Sequence, residues 1–86
     1  MYYVYVLESL KDNKLYIGYT NDLKKRLEQH NTGKSFSTKG RRPFKLVYYE
    51  AYSTKEDAKN LEHFFKTGWG RQYLNKALKH YFSAKT

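Results

Sequence analysis

Apolar and polar positions alternate over residues 2–8, around Tyr3-Val4-Tyr5-Val6-Leu7. Successive strand side chains point to opposite faces, and tyrosine and valine suit such a surface, so this run predicts a strand. Leu15-Tyr16-Ile17-Gly18-Tyr19-Thr20 repeats the pattern after a short polar stretch. Asp12-Asn13, between Lys11 and Lys14, predicts a two-residue turn, since both residues tolerate positive φ. Residues of opposite parity on the two strands then share a face. Tyr5, Leu7, Tyr16 and Gly18 point one way; Val4, Val6, Ile17 and Tyr19 point the other. A loop longer by a single residue would part Tyr5 from Tyr16.

Beyond the hairpin the period changes to helical. Thr20 or Asn21 is expected to cap a helix running to about His30, with Asp22 in the first turn and Gly33 as the stop. Residues 31–44, rich in Gly, Ser, Lys and Arg, read as a loop. Lys45–Tyr52 is a third strand. Ser53-Thr54-Lys55-Glu56 forms a capping box that opens a second helix through about Thr67. Gly68 and Gly70 break that helix around Trp69, and residues 71–82 carry apolar groups at helical spacing. The expected fold class is α+β: a small, three-stranded, mostly antiparallel sheet flanked by helices, in the order β-β-α-β-α-α. With neither repeat nor linker, residues 1–86 are expected to form one domain.

Composition narrows the chemistry. The chain has no cysteine, which excludes disulfides and thiolate metal cages. Seventeen Lys and Arg against eight Asp and Glu leave a net charge of +9, which favours polyanions as partners. No apolar run is long enough to span a membrane, and no signal peptide is visible, so cytoplasmic residence is expected. Ten tyrosines against five phenylalanines imply a polar-lined face, because each buried phenol needs a hydrogen-bond partner.

Three side chains sit oddly beside apolar stripes. Leu23 and Leu27 mark the buried side of the first helix, and Arg26 and His30 lie along its edge. Packing alone would have Arg26 lay its methylenes over Leu23 and His30 satisfy the helix C-terminus. Ala58, Leu61, Phe65 and Trp69 mark the stripe of the second helix, with Glu62 alongside. An ion pair with Lys59 or Lys66 is the plain explanation of Glu62. The chemical one is a divalent cation such as Mg²⁺, held by one carboxylate, waters and a substrate phosphate. Phosphate-binding glycine loops, His-Glu-x-x-His and the paired carboxylates of two-metal nucleases are missing.

These residues together resemble the GIY-YIG nuclease family, most nearly its short single-domain bacterial members. Tyr3-Val4-Tyr5 matches the first motif strand, with Tyr3 where the family often has glycine, and Tyr16-Ile17-Gly18 matches the second. The similarity continues through Arg26, His30, Gly40-Arg41-Arg42-Pro43, the strand Lys45–Glu50 and Glu62, covering about residues 2–68. The resemblance implies endonucleolytic hydrolysis of DNA phosphodiesters with one divalent metal, Mg²⁺ or Mn²⁺, in repair or processing. Tyr5 and Tyr16 would position and deprotonate the attacking water. Arg26 would neutralise charge on the phosphate, and His30 would assist the base or hold the phosphate. Glu62 would carry the metal. Gly18 would admit the DNA backbone, and Asn75 is the candidate for an asparagine near the site. Lys39, Arg41 and Arg42 are expected to touch the nucleic-acid backbone rather than read bases.

A domain this small has little surface for reading sequence, which favours structure selectivity or a protein partner that directs substrate choice. Oligomeric state is left open. The competing reading is a non-catalytic, basic nucleic-acid-binding module that stacks bases on exposed tyrosines. A third is an interaction subunit docking through Trp69 and the C-terminal helix.

Overall fold

The first two strands, β1 (Tyr2–Ser9) and β2 (Leu15–Thr20), form the expected antiparallel hairpin. The computed structural model, which describes residues 1–84, closes that hairpin with a longer loop than the sequence suggests. The Ser9 amide donates to the Lys14 carbonyl at 3.0 Å, so Leu10–Asn13 form the loop. The Ser9 hydroxyl accepts from the Lys11 and Asp12 amides at 3.1 and 3.2 Å, and these side-chain bonds stabilise the wider turn. Of the two expected turn residues only Asn13 takes positive φ, 60°. The register consequence is benign. Two extra residues shift the pairing by an even number, which returns every side chain to its expected face. Tyr5 lies opposite Gly18, and Leu7 opposite Tyr16.

Helix α1 (Leu23–Thr32) follows, then a 3-10 helix (Phe36–Arg41), β3 (Phe44–Tyr52), α2 (Lys55–Phe65), α3 (Gly68–Ala77) and α4 (Lys79–Ser83). The sheet order is β2-β1-β3, antiparallel throughout, in keeping with the expected α+β class. As the central strand, β1 is buried on both faces from Val4 to Ser9. Tyr5, Leu7 and Phe44 pack with Leu23 and Leu27 beneath α1; Val4, Val6 and Ile17 pack with Ala58, Phe65 and Leu74 beneath α2 and α3. Each fully buried Val, Leu or Phe among them contributes about 1.5–3 kcal/mol by leaving water. A bulge opposite Val6 and Leu7 inserts Val47 into β3, sending Val47 and Tyr48 to the α2 face while Leu46 joins the α1 face.

Several boundaries differ from expectation for local reasons. Asp22, rather than Thr20 or Asn21, caps α1: its carboxylate accepts the Lys25 amide at 3.1 Å. Gly33 ends α1 as expected, with φ of 81°. The α2 box sits one residue later than expected, with Thr54 as cap and Asp57 as its partner. The expected break falls at Lys66-Thr67, and Gly68-Trp69-Gly70 is the first turn of α3, capped by Thr67. Trp69 therefore leaves the buried stripe of α2, and it is 75% exposed. A Cβ on Gly70 would overlap the Phe64 carbonyl, so glycine lets α2 and α3 meet backbone to backbone. The basic loop contains the 3-10 helix, and the last predicted helix divides at Leu78. Among the described residues no helix is long and apolar enough to cross a membrane.

Candidate active site

The centre is built on His30, which is fully buried near the end of α1. Its Nε2 lies 2.8 Å from the Tyr5 hydroxyl on β1, and its Nδ1 lies 2.7 Å from the Thr38 hydroxyl in the 3-10 helix. One tautomer satisfies the whole network. Thr38 Oγ1 donates to the Ser35 carbonyl and so accepts from Nδ1–H, which leaves Nε2 to accept from Tyr5. The Tyr5 oxygen in turn accepts from Arg26 Nε–H at 3.3 Å. Arg26 also donates to Gln29 Oε1 at 3.1 Å and to Ser35 Oγ at 3.5 Å, which fixes its guanidinium against the sheet. Neither packing explanation survives: Arg26 does not end in solvent, and the His30 ring does not bond the helix terminus.

Electrostatics follow from this packing. Burial pushes the His30 pKa down from 6.5 to about 4, assisted by the positive charge of Arg26. His30 is therefore a neutral acceptor at physiological pH. Burial raises the Tyr5 phenol above its usual value, while the Arg26 hydrogen bond and charge oppose that rise. Tyr5 is only 1% exposed. Its hydroxyl stands directly over Gly18, where any Cβ would overlap it. The space above Gly18 is thus filled by Tyr5 rather than left open for a DNA backbone.

Tyr16 completes the face. Its ring meets His30 edge-on at 5.1 Å and lies 6.5 Å from the Tyr5 ring; Phe44 closes the group at 5.9 Å from His30. Unlike Tyr5, Tyr16 is partly exposed, and its hydroxyl makes no hydrogen bond within the described residues.

Glu62 approaches from α2. Lys66 Nζ bonds its carboxylate at 3.2 Å, the ion pair that helical spacing suggests. The carboxylate is nonetheless near enough to raise the Tyr5 pKa, the weakest of the influences on that phenol. Among the described residues no three His, Cys, Asp or Glu side chains converge. The donors therefore fit only a single-carboxylate cation site completed by waters and a phosphate, the habit of Mg²⁺. Lys66 is an exposed, exchangeable partner that such a cation would displace.

The remaining predicted residues diverge from this centre. Arg41 is committed to Asp12 at 3.0 Å and lies 5.7 Å from the Phe44 ring centroid. The Arg41 hydrogen bond, followed by that of the Lys14 amide, holds the Asp12 carboxyl down at about 2. The Arg42 guanidinium rests on Gly33, and Lys39 is exposed. Asn75 is exposed on α3, in a groove with Lys14 and Arg41, and makes no hydrogen bond to Tyr5, Arg26 or His30. Sequence reasoning missed Thr38, Ser35 and Gln29. The turn that ends α1 holds Ser35 against Gln29, and only the 3-10 helix brings Thr38 to His30; their loop carries no periodic signal of either.

Comparison with known proteins places the chain in a family. The pattern of the GIY-YIG catalytic domain matches residues 1–81. A UPF0213 protein of Bacillus pumilus (strain SAFR-032) is 50% identical over 72 residues, spanning 83% of this chain and 71% of the relative. A UPF0213 protein of Streptococcus pyogenes serotype M3 is 52% identical over 65 residues, spanning 74% and 70% respectively. The solution NMR structure of a UPF0213 protein from Bacillus halodurans superimposes with a TM-score of 0.56 at 38% identity, covering 90% of this chain and 85% of that one. The chain belongs to the GIY-YIG family, a nuclease family, and its close relatives are the small bacterial UPF0213 proteins.

Proposed function

We propose that the protein is a metal-dependent endonuclease that hydrolyses DNA phosphodiesters, selecting structure over sequence, in repair or processing within the cytoplasm. The observation that carries this reading is the buried Tyr5–His30 pair with Arg26 bonded to the same phenol oxygen. Packing does not require a neutral histidine, a phenol and a guanidinium on one oxygen; proton transfer beside an anion does. The net charge of +9 supplies the attraction to a polyanion.

The roles follow from accessibility. Tyr16, with its free hydroxyl, orients the attacking water. Arg26 turns from Gln29 and Ser35 toward the phosphate, uncovering the Tyr5 oxygen. Water's oxygen bonds to phosphorus as the P–O ester bond breaks. The water proton passes to the Tyr5 oxygen as Tyr5 gives its own to His30 Nε2. Pairing Arg26 with a phosphate removes one of the two influences that depress His30, so substrate binding strengthens the acceptor it needs. Glu62 would hold the divalent metal, Mg²⁺ or Mn²⁺, which would supply positive charge to the departing oxygen. A surface this small leaves room for a protein partner that chooses the substrate.

The second reading, a non-catalytic nucleic-acid-binding module, gains from the Glu62–Lys66 ion pair, which explains that acid without a metal. Incubating purified protein with labelled linear, nicked, branched and flap DNA separates the two. Cleavage with Mg²⁺ or Mn²⁺ that EDTA abolishes supports the nuclease. Retention of DNA with no product in any metal supports the module.

A further inference from the structure

A groove of about 470 Å³ lies between the β1–β2 loop and helices α3 and α4. Leu15 and Phe82 are its apolar lining, and Asn13, Lys14, Arg41, Arg71 and Asn75 supply its polar groups. Arg71 and Asn75 stand four residues apart on α3 and so face the groove together. Among the described residues no carboxylate lines it. Asp12, beside it, is held by Arg41 at 3.0 Å. The side chains of Lys14 and Arg71 make no hydrogen bond or ion pair with any described residue. Two unpaired cations beside side-chain amides around one concavity repel or ignore each other until an anion arrives, and a phosphate would satisfy the cations.

The position matters as much as the charge. Leu15 lines this groove, and the next residue, Tyr16, faces the candidate active site on the other side of the sheet. Adjacent Cα atoms are about 3.8 Å apart, so the two sites are separated by the thickness of one strand. That strand, β2, is one of the two edges of the sheet. A polyanion crossing the edge meets Tyr16 and Arg26 on one side and Lys14 and Arg71 on the other. We propose that this groove seats a backbone phosphate of the nucleic acid whose scissile phosphate lies at Tyr16 and Arg26, with Arg71 and Lys14 as its principal contacts. The proposal rests on a nucleic-acid substrate, but not on cleavage. It also gives Asn75 a place outside the catalytic centre.

The test is fluorescence anisotropy of labelled DNA in EDTA across a salt series, for wild type, Arg71→Ala, Lys14→Ala and the control Lys55→Ala. All three positions are exposed, and unchanged circular dichroism melts would confirm intact folding. Deleting one cation that neutralises a phosphate lowers the slope of log K against log salt by about 0.7–0.9. Arg71→Ala and Lys14→Ala should each show that decrease, with affinity weakened alike for different sequences, while Lys55→Ala keeps the wild-type slope. DNA binding with wild-type slopes in both groove variants overturns the inference and leaves the nuclease reading intact. Reduced slopes in a protein that never cleaves support the groove and remove the nuclease. A wild-type protein that binds no DNA sinks both.

Discussion

The Tyr5 hydroxyl and His30 Nε2 meet at 2.8 Å inside the protein, joining the central strand to α1 across 25 residues of sequence. That bond is structural and chemical at once, which separates the two motif phenols by experiment. Tyr5→Phe leaves His30 Nε2 buried without a donor and should cost about 1–3 kcal/mol. In a domain of this size that lowers Tm by several degrees. Tyr16→Phe removes a hydroxyl bonded to nothing described and should stay within about 0.5 kcal/mol of wild type. Both should lose cleavage. Equal Tm values for the two variants would contradict the network.

The depressed His30 pKa has a definite sign in acid. Its folded value of about 4 lies below the ordinary 6.5, so between those pH values the unfolded chain binds the extra proton. The contribution is whole above pH 6.5 and drains away as pH falls toward 4, by about 2–3 kcal/mol. Urea titrations of wild type and His30→Gln across this window should show a steep pH dependence only in wild type. Parallel curves would mean His30 is charged in the folded protein.

Binding should move that same group. If Arg26 turns to a phosphate, the charge depressing His30 is partly neutralised and its pKa rises. NMR titration of the His30 ring in EDTA, with and without a bound oligonucleotide, reads this directly. A rise of half a unit or more is expected; a fall or no change would place the phosphate elsewhere.

The Tyr5 hydroxyl packs over the Gly18 α-carbon, and no side chain fits between them. Gly18→Ala should displace the ring, cost about 1–3 kcal/mol and depress cleavage together. A Gly18→Ala protein of wild-type stability whose DNA affinity falls would assign the space above Gly18 to the substrate instead.

The hairpin shows how much of this was legible. Its turn is two residues longer than the sequence suggests, yet strand periodicity still placed Tyr5, Leu7, Tyr16 and Gly18 on one face, because face depends on parity rather than on turn length. The edge positions of Arg26 and His30 were likewise fixed by the phase of Leu23 and Leu27. What the residues alone did not disclose depends on tertiary contact. Thr38 reaches His30 only through a 3-10 helix hidden among Gly, Ser and Lys. Trp69 lies off the expected stripe because α2 ends at Phe65, and the helical phase does not continue past that point. Arg71 carries no signal in the sequence; it lines a groove only because α3 lies beside the hairpin loop.

The most direct measurement is single-turnover cleavage of a branched or flap DNA with Mg²⁺, alongside binding in EDTA, for wild type, Arg26→Ala and Glu62→Gln. The nuclease account predicts product from wild type, a loss of at least about 100-fold in both variants, and DNA binding retained in both, weakened in Arg26→Ala by no more than one phosphate contact. Wild-type rates in either variant, or no product from wild type on any substrate, would contradict it.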